Sequence, residues 1–234
     1  MALKPKNIRQ ASSIEKTAPL GPTNVAPALP VTNAADPRLF FAWLTNNTDP
    51  AELLNIGTRL LEEGRAGPAL LCYQRALELK PDDEEICFNL GVVFARMNKL
   101  PEAEHHYREA LKLFAEYVEA HNNLGNVLTR QKRFSEAIEE FNAALKLAPE
   151  DASAHNNLGR ALAEQGQPGE ALGHFKEAAR LDTNYVEARF NVGSAYLSIG
   201  KTNEALAAFR EALRLRPDFA PAAQAITRLK GASR

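Results

Sequence analysis

Residues 118–151 read VEAHNNLGNVLTRQKRFSEAIEEFNAALKLAPED. His121, Leu124, Gly125 and Leu128 fall on one face at helical spacing, and Ala137, Phe141 and Ala144 fall on another, with only Lys132-Arg133 between them. The stretch predicts two helices and a short corner. Its pattern recurs along the chain. Glycines stand at 57, 91, 125, 159 and 193, each 34 residues after the last. With Gly at roughly 7 % of residues, five in one register arise by chance on the order of once in a million. Alanines keep the same step at 69, 103, 137, 171 and 205 and again at 76, 110, 144, 178 and 212. So do Tyr73, Tyr107, Phe141, Phe175 and Phe209, and the leucines at 79, 113, 147, 181 and 215. Internal repetition outranks other signals, and the units run 50–83, 84–117, 118–151, 152–185 and 186–219.

The column residues have mechanical roles. Small residues let two helix backbones approach, and the aromatic is expected to fill the gap between units. Gly64, Gly166 and Gly200 occupy the corner in three units. Pro81, Pro149 and Pro217 follow the closing leucine and are expected to stop the second helix. Ala115 and Thr183 replace that proline in the second and fourth units, so those junctions are expected to turn less sharply. A single unit cannot bury its own apolar face, so five stack into a solenoid. Residues 220–234 read as a capping helix and tail. At the other end, 36–49 reads as a short apolar helix and linker: Asp36 is a candidate N-cap, Pro37 lies in the first turn and Leu39-Phe40-Phe41-Ala42-Trp43-Leu44 follows. Covering the open first face is the expected role of this helix, with docking into a groove the alternative. Residues 1–35 show no period and are expected to form a disordered, proline-rich arm; seven of the 14 prolines lie at or before Pro50.

Composition narrows the function. Twenty-eight Lys+Arg against 29 Asp+Glu leave a net charge of −1, which offers no footprint for a phosphate backbone, so nucleic acid is not an expected partner. No stretch approaches the roughly 20 apolar residues that cross a bilayer, and membrane insertion is not expected. Cys72 and Cys87 cannot build a disulfide framework and read as buried or half-buried thiols in a reducing cytoplasm.

The order Leu-Gly, Ala, aromatic, Ala and closing Pro at these spacings resembles the tetratricopeptide repeat (TPR). The resemblance covers about 170 residues and implies an all-α, right-handed TPR solenoid. Ala120-His121-Asn122-Asn123-Leu124-Gly125 is most similar to the TPR regions of O-linked N-acetylglucosamine transferases and their bacterial relatives. The family geometry implies that positions 2, 5, 6, 9, 12 and 13 of each unit face a concave groove. Position 6 is Asn55, Asn89, Asn123, Asn157 and Asn191. A carboxamide both donates and accepts, so a row of them suits the backbone of an extended peptide; in the transferases such a row holds substrate. Position 5 adds Leu54, Phe88, Asn122, Asn156 and Phe190, and position 9 adds Thr58, Val92, Asn126, Arg160 and Ser194. The groove is expected to be apolar at Phe88 and Val92 and again at Phe190 with Leu197, Phe88 and Phe190 being the expected anchors. Asn122, Asn126, Asn156 and Arg160 make the middle amide-rich, and Arg96 and Arg130 add positive charge there. Packing between helices is the alternative for both phenylalanines.

Other chemistries find less support. A chaperone-tail clamp needs Lys and Arg where the best window has Glu187 and Asn191. His121 and His155 sit one repeat apart in the packing column with no Cys, Asp or Glu to complete a ligand set, so they read as inter-helix histidines and no metal or cofactor is expected. His105, His106 and His174 are expected on the outer face. No phosphate loop or nucleophile elbow appears. The function expected is a non-catalytic adaptor or scaffold that holds an extended segment of a partner protein. The alternatives are the substrate arm of a glycosyltransferase-type enzyme and a self-assembly module; the sequence does not specify the oligomeric state.

Overall fold

The corner between the two helices of a unit is built the same way five times. Gly64, Asn98, Lys132, Gly166 and Gly200 all adopt positive φ, between 60° and 89°. In unit 1 the Gly64 N–H donates to the Leu61 carbonyl and the Arg65 N–H to the Leu60 carbonyl, at 3.1 and 2.8 Å. The other four corners repeat this 5→2 and 6→1 pairing, the Schellman motif, which satisfies the last carbonyls of the first helix while the chain reverses.

The computed structural model describes residues 37–232, so residues 1–36, which hold the expected arm and Asp36, lie outside it. Among the described residues there are twelve helices: α1 Pro37–Asn46, α2 Pro50–Glu62, α3 Ala66–Leu79, α4 Glu84–Arg96, α5 Leu100–Leu113, α6 Val118–Arg130, α7 Phe134–Leu147, α8 Ala152–Glu164, α9 Pro168–Leu181, α10 Val186–Ser198, α11 Thr202–Leu215 and α12 Ala220–Ala232. They form an all-α helical-repeat solenoid. Each unit contributes a first helix (α2, α4, α6, α8, α10) and a second (α3, α5, α7, α9, α11). Asp49, Asp83 and Asp151 cap their helices by accepting backbone N–H groups, whereas Tyr117 and Tyr185 precede α6 and α10 without a side-chain cap.

Two expectations about packing change. The repeated glycine does not leave room between units; it is the seat for the aromatic of its own unit. A Cβ on Gly57, Gly91, Gly125, Gly159 or Gly193 would lie 2.5–2.7 Å from the ring of Tyr73, Tyr107, Phe141, Phe175 or Phe209 respectively. Those five rings are buried. The closing proline is also dispensable. All five second helices end at the same leucine, and the residue after it is extended whether Pro81 or Ala115 follows: Lys80 has φ −139° and Phe114 has φ −138°.

From α2 to α12 consecutive helices pack on one another, α1 packs on α3, and α2–α4, α4–α6, α6–α8 and α8–α10 also touch, so the first helices approach one another along one face of the stack. At one end Phe40, Trp43 and the buried Leu44 of α1 pack on the core of unit 1. At the other, Ala222, Ile226 and Leu229 of α12 pack against Phe209 and Ala212.

Candidate functional site

Five first helices bring position 6 to the same face, but their carboxamides are not equivalent. Asn55 is exposed. Asn89 turns back on its own helix and donates to the Glu85 carbonyl at 2.8 Å. Asn123 bonds the hydroxyl of Tyr107, a phenol whose pKa burial pushes up and this bond partly restores. Asn157 donates to Asn122 Oδ1 at 3.1 Å, and Asn191 donates to Asn156 Oδ1 at 2.8 Å. Asn89 is thus spent within its own helix, whereas the asparagines of units 3, 4 and 5 each reach back to the preceding unit, the first to a tyrosine and the other two to an asparagine. Asn122 and Asn126 are half-buried, whereas Asn156 is only 5 % exposed. Its carbonyl oxygen serves the protein itself.

Phe88 and Phe190 each belong to an aromatic cluster. Phe88 lies 4.8 Å from Tyr117 and 5.8 Å from Tyr107 between ring centroids. Phe190 lies 5.3 Å from Phe209 and 5.6 Å from Phe219. Both rings are half-buried, as is Val92. Position 5 holds a phenylalanine where the last residue of the same unit is Tyr117 or Phe219, so these rings help close the unit as well as border the groove.

The cations divide as well. Arg96 Nη1 donates to the Leu61 carbonyl at 2.8 Å, and Arg130 donates to the Ala95 carbonyl at 3.2 Å and to Asn98 Oδ1 at 2.6 Å. Each guanidinium thus fastens the C-terminal end of the preceding first helix, where carbonyls are unpaired and the helix dipole favours positive charge. Arg160 is exposed and makes no hydrogen bond or ion pair among the described residues. It lines a cavity of about 510 Å³ with Glu164, Phe175, Asn191, Ser194 and Ser198. The hydroxyls of Ser194 and Ser198 donate to carbonyls one turn back, at 3.2 and 3.1 Å, which leaves their oxygens as acceptors.

Away from this face, position 4 meets position 23 of the same unit. His121 bonds the Glu140 carboxylate through Nδ1 at 2.7 Å and the Ala115 carbonyl through Nε2 at 3.0 Å. Both partners only accept, so both ring nitrogens donate and the imidazolium is held; its pKa is raised, first by the bond to Glu140. His155 meets His174 Nδ1 to Nδ1 at 3.1 Å. This corrects the outer-face expectation for His174, and His106 also lies half-buried, stacked on Phe94 with centroids 5.3 Å apart. His105 alone of the three is exposed. No group of three or more potential metal ligands occurs among the described residues. Cys72 and Cys87 are buried free thiols, and burial pushes their pKa values up to about 12 and about 11. Such thiols are inert as nucleophiles. No described helix is long and apolar enough to cross a membrane.

Helical hairpins stacked through glycine-seated aromatics define a class of repeat protein. Tetratricopeptide repeat models match residues 88–152, 133–186 and 156–218, and a TPR repeat model matches 57–98. The chain belongs to the tetratricopeptide repeat family. Among solved structures it is similar to YrrB, described as a TPR protein with an unusual peptide-binding site, at 26 % identity and TM-score 0.65, over 80 % of this chain and 96 % of that one. It also shares its fold with MamA from Desulfovibrio magneticus RS-1 (24 % identity, TM-score 0.68, 73 % and 97 % covered) and with PilF from Pseudomonas aeruginosa (22 %, 0.65, 78 % and 91 %). No curated protein matches significantly.

Proposed function

We propose that the chain is a cytoplasmic, non-catalytic scaffold that holds an extended segment of a partner protein against its first helices, gripping it chiefly at units 4 and 5. The observation that carries this reading is the state of Asn157 and Asn191. Each spends one N–H on a neighbouring asparagine and keeps a carbonyl and a second N–H, with Asn191 in the wall of the 510 Å³ cavity beside Arg160. An oxygen and an N–H on one planar group match the N–H and C=O of an extended backbone. A similar fold in YrrB, with its peptide-binding site, supports the mode. The net charge of −1 favours a protein over a nucleic acid, and two buried thiols suit a reducing compartment.

The bonds are few, so the grip is modest. Each hydrogen bond nets about 0.5–1.5 kcal/mol, while ordering a flexible segment costs about 2–5 kcal/mol. Affinity is expected in the micromolar range. The probe is a fluorescein-labelled pool of degenerate decapeptides, read by anisotropy on the full chain. The double substitution Asn157→Ala and Asn191→Ala removes about 1–3 kcal/mol, roughly a five- to hundredfold loss across the pool. Phe88→Ala is expected to alter which peptides bind more than how tightly the pool binds. Unchanged pool affinity in the asparagine double variant removes the reading.

A second reading rests on the same row. Asparagine at position 6 of all five units resembles the asparagine row of transferase TPR regions, and it supports a substrate-holding arm of a modifying enzyme. Sugar-nucleotide turnover in a purified sample would favour it.

A further inference from the structure

Asn122 and Asn156 sit at position 5, one residue before the gripping column, and each accepts a bond from the position-6 asparagine of the next unit, 35 residues on. We infer that Asn122 and Asn156 are positioning residues, which orient Asn157 and Asn191 so that their remaining oxygen and N–H face a bound backbone. The inference rests on the peptide-holding reading.

An unrestrained Asn side chain rotates about its last torsion with a broad, roughly two-fold preference. Its oxygen and its amide nitrogen then exchange places at little cost, and a ligand must freeze that freedom. A bond from Nδ2 to a fixed acceptor removes the ambiguity, because only the nitrogen donates to a carbonyl oxygen. The acceptor itself is fixed. Asn156 is 5 % exposed within α8 and does not move freely with solvent. The donor then arrives already facing the right way, which reduces the ordering cost of binding.

The same positions show why the lower units lack the device. Position 5 there is Leu54 and Phe88, which offer no acceptor. The following asparagines take other partners: Asn89 the Glu85 carbonyl of its own helix, and Asn123 the Tyr107 hydroxyl. Among the described residues, position-6 carboxamides held by an asparagine of the preceding unit thus occur in units 4 and 5, and that of Asn191 borders the cavity together with the unpaired Arg160. The relay also couples the units. A tilt of α8 against α10 alters the geometry of the Asn156–Asn191 bond, so the shape of the stack and the aim of the grip change together.

The test replaces the acceptor and leaves the gripping residue intact. Asn156→Leu removes the oxygen with an apolar side chain that position 5 already carries as Leu54, and Asn156→Asp restores an acceptor of the same shape. In the ¹⁵N-labelled full chain, the Asn191 side-chain NH₂ is expected to show one hydrogen protected from exchange. Asn156→Leu abolishes that protection and Asn156→Asp keeps it, with helicity unchanged in both. With the degenerate decapeptide pool, Asn156→Leu is expected to bind about three- to tenfold more weakly than wild type, and Asn156→Asp within twofold. Protection of Asn191 that survives Asn156→Leu overturns the relay. So does full affinity in Asn156→Leu when the Asn157/Asn191 alanine double variant has lost it. If that double variant binds normally, the peptide-holding reading fails, while the exchange measurement still decides whether Asn191 is oriented by Asn156.

Discussion

At the scale of single residues, one pair of positions carries opposite responses to acid in adjacent units. His121 is an imidazolium held by Glu140, and its folded pKa lies above the ordinary 6.5. Its contribution to stability is complete below pH 6.5 and is lost as pH rises through the raised value, because the unfolded ring has already released the proton. His174 has its pKa lowered, first by burial and then by the neighbouring His155. Its contribution is present above pH 6.5 and declines as pH falls below it, since the unfolded ring then binds the proton more readily. The other charged groups that bear on the pair are Glu170, which acts on His174, and Glu177, which bonds Arg180 and feels His155. Neither carboxylate makes a hydrogen bond to a ring. Thermal denaturation between pH 5 and 8.5 separates the two units. Relative to wild type, His121→Gln is expected to lose most stability at the acid end and least at the alkaline end. His174→Gln is expected to compare better with wild type as the buffer becomes more acidic. His106 is also shifted down by burial, but it is common to all three proteins and cancels in the differences. A pH-independent gap for both variants would remove the assignment.

Within the elements, the corner is where sequence and geometry agree least. All five units place a left-handed residue there, yet only three supply glycine. Lys132 takes φ 63° and Asn98 takes φ 60°. A side chain costs roughly 1–2 kcal/mol in that region, less for Asn, whose short polar side chain bonds locally. Lys132→Gly is therefore expected to stabilise the chain by about 0.5–1 kcal/mol after the extra unfolded-state entropy of glycine is offset. Asn98→Gly should gain less. Denaturant midpoints at unchanged slope check both, and a lower midpoint for Lys132→Gly contradicts the reading of the corner. The corner itself was legible from Gly64, Gly166 and Gly200, as were the helix pairs and the aromatic column, because a 34-residue period averages local ambiguity over five copies. Partner choice was less legible. Position 6 identifies an inward asparagine, but the bond from Asn191 to Asn156 depends on how α10 crosses α8. Likewise His174 read as an outer residue because helical spacing gives the angle around α9 and not the ring that leans onto it from α8. The proline rule failed for a different reason: the residue after the closing leucine takes nearly the same backbone conformation in all five units, with or without proline behind it, so Ala115 and Thr183 serve as well.

For the whole molecule, stability is a sum over neighbours, so damage at one end should stay there. The first face is covered by α1, which buries Leu44 and half-buries Phe40 and Trp43, while leaving Leu39 64 % and Phe41 49 % exposed on its outer side. Asn47 fixes the junction: its Nδ2 donates to Glu52 at 2.9 Å, and its Oδ1 accepts the Asp49 N–H at 2.8 Å. A buried large apolar side chain contributes about 1.5–3 kcal/mol. Deleting residues 1–49 therefore removes several kcal/mol from unit 1 alone. The packing that holds α8 to α11 involves none of the described residues among those deleted. Hydrogen exchange should show α2 and α3 losing protection while α8 to α11 keep theirs, with decapeptide-pool affinity unchanged within twofold. Loss of protection spreading evenly to α11 would mean that the stack unfolds as one unit. A rise in pool affinity would instead mean that the deleted segment competes for the groove, since a cap on the far face of unit 1 has no contact with Asn157 or Asn191 to release.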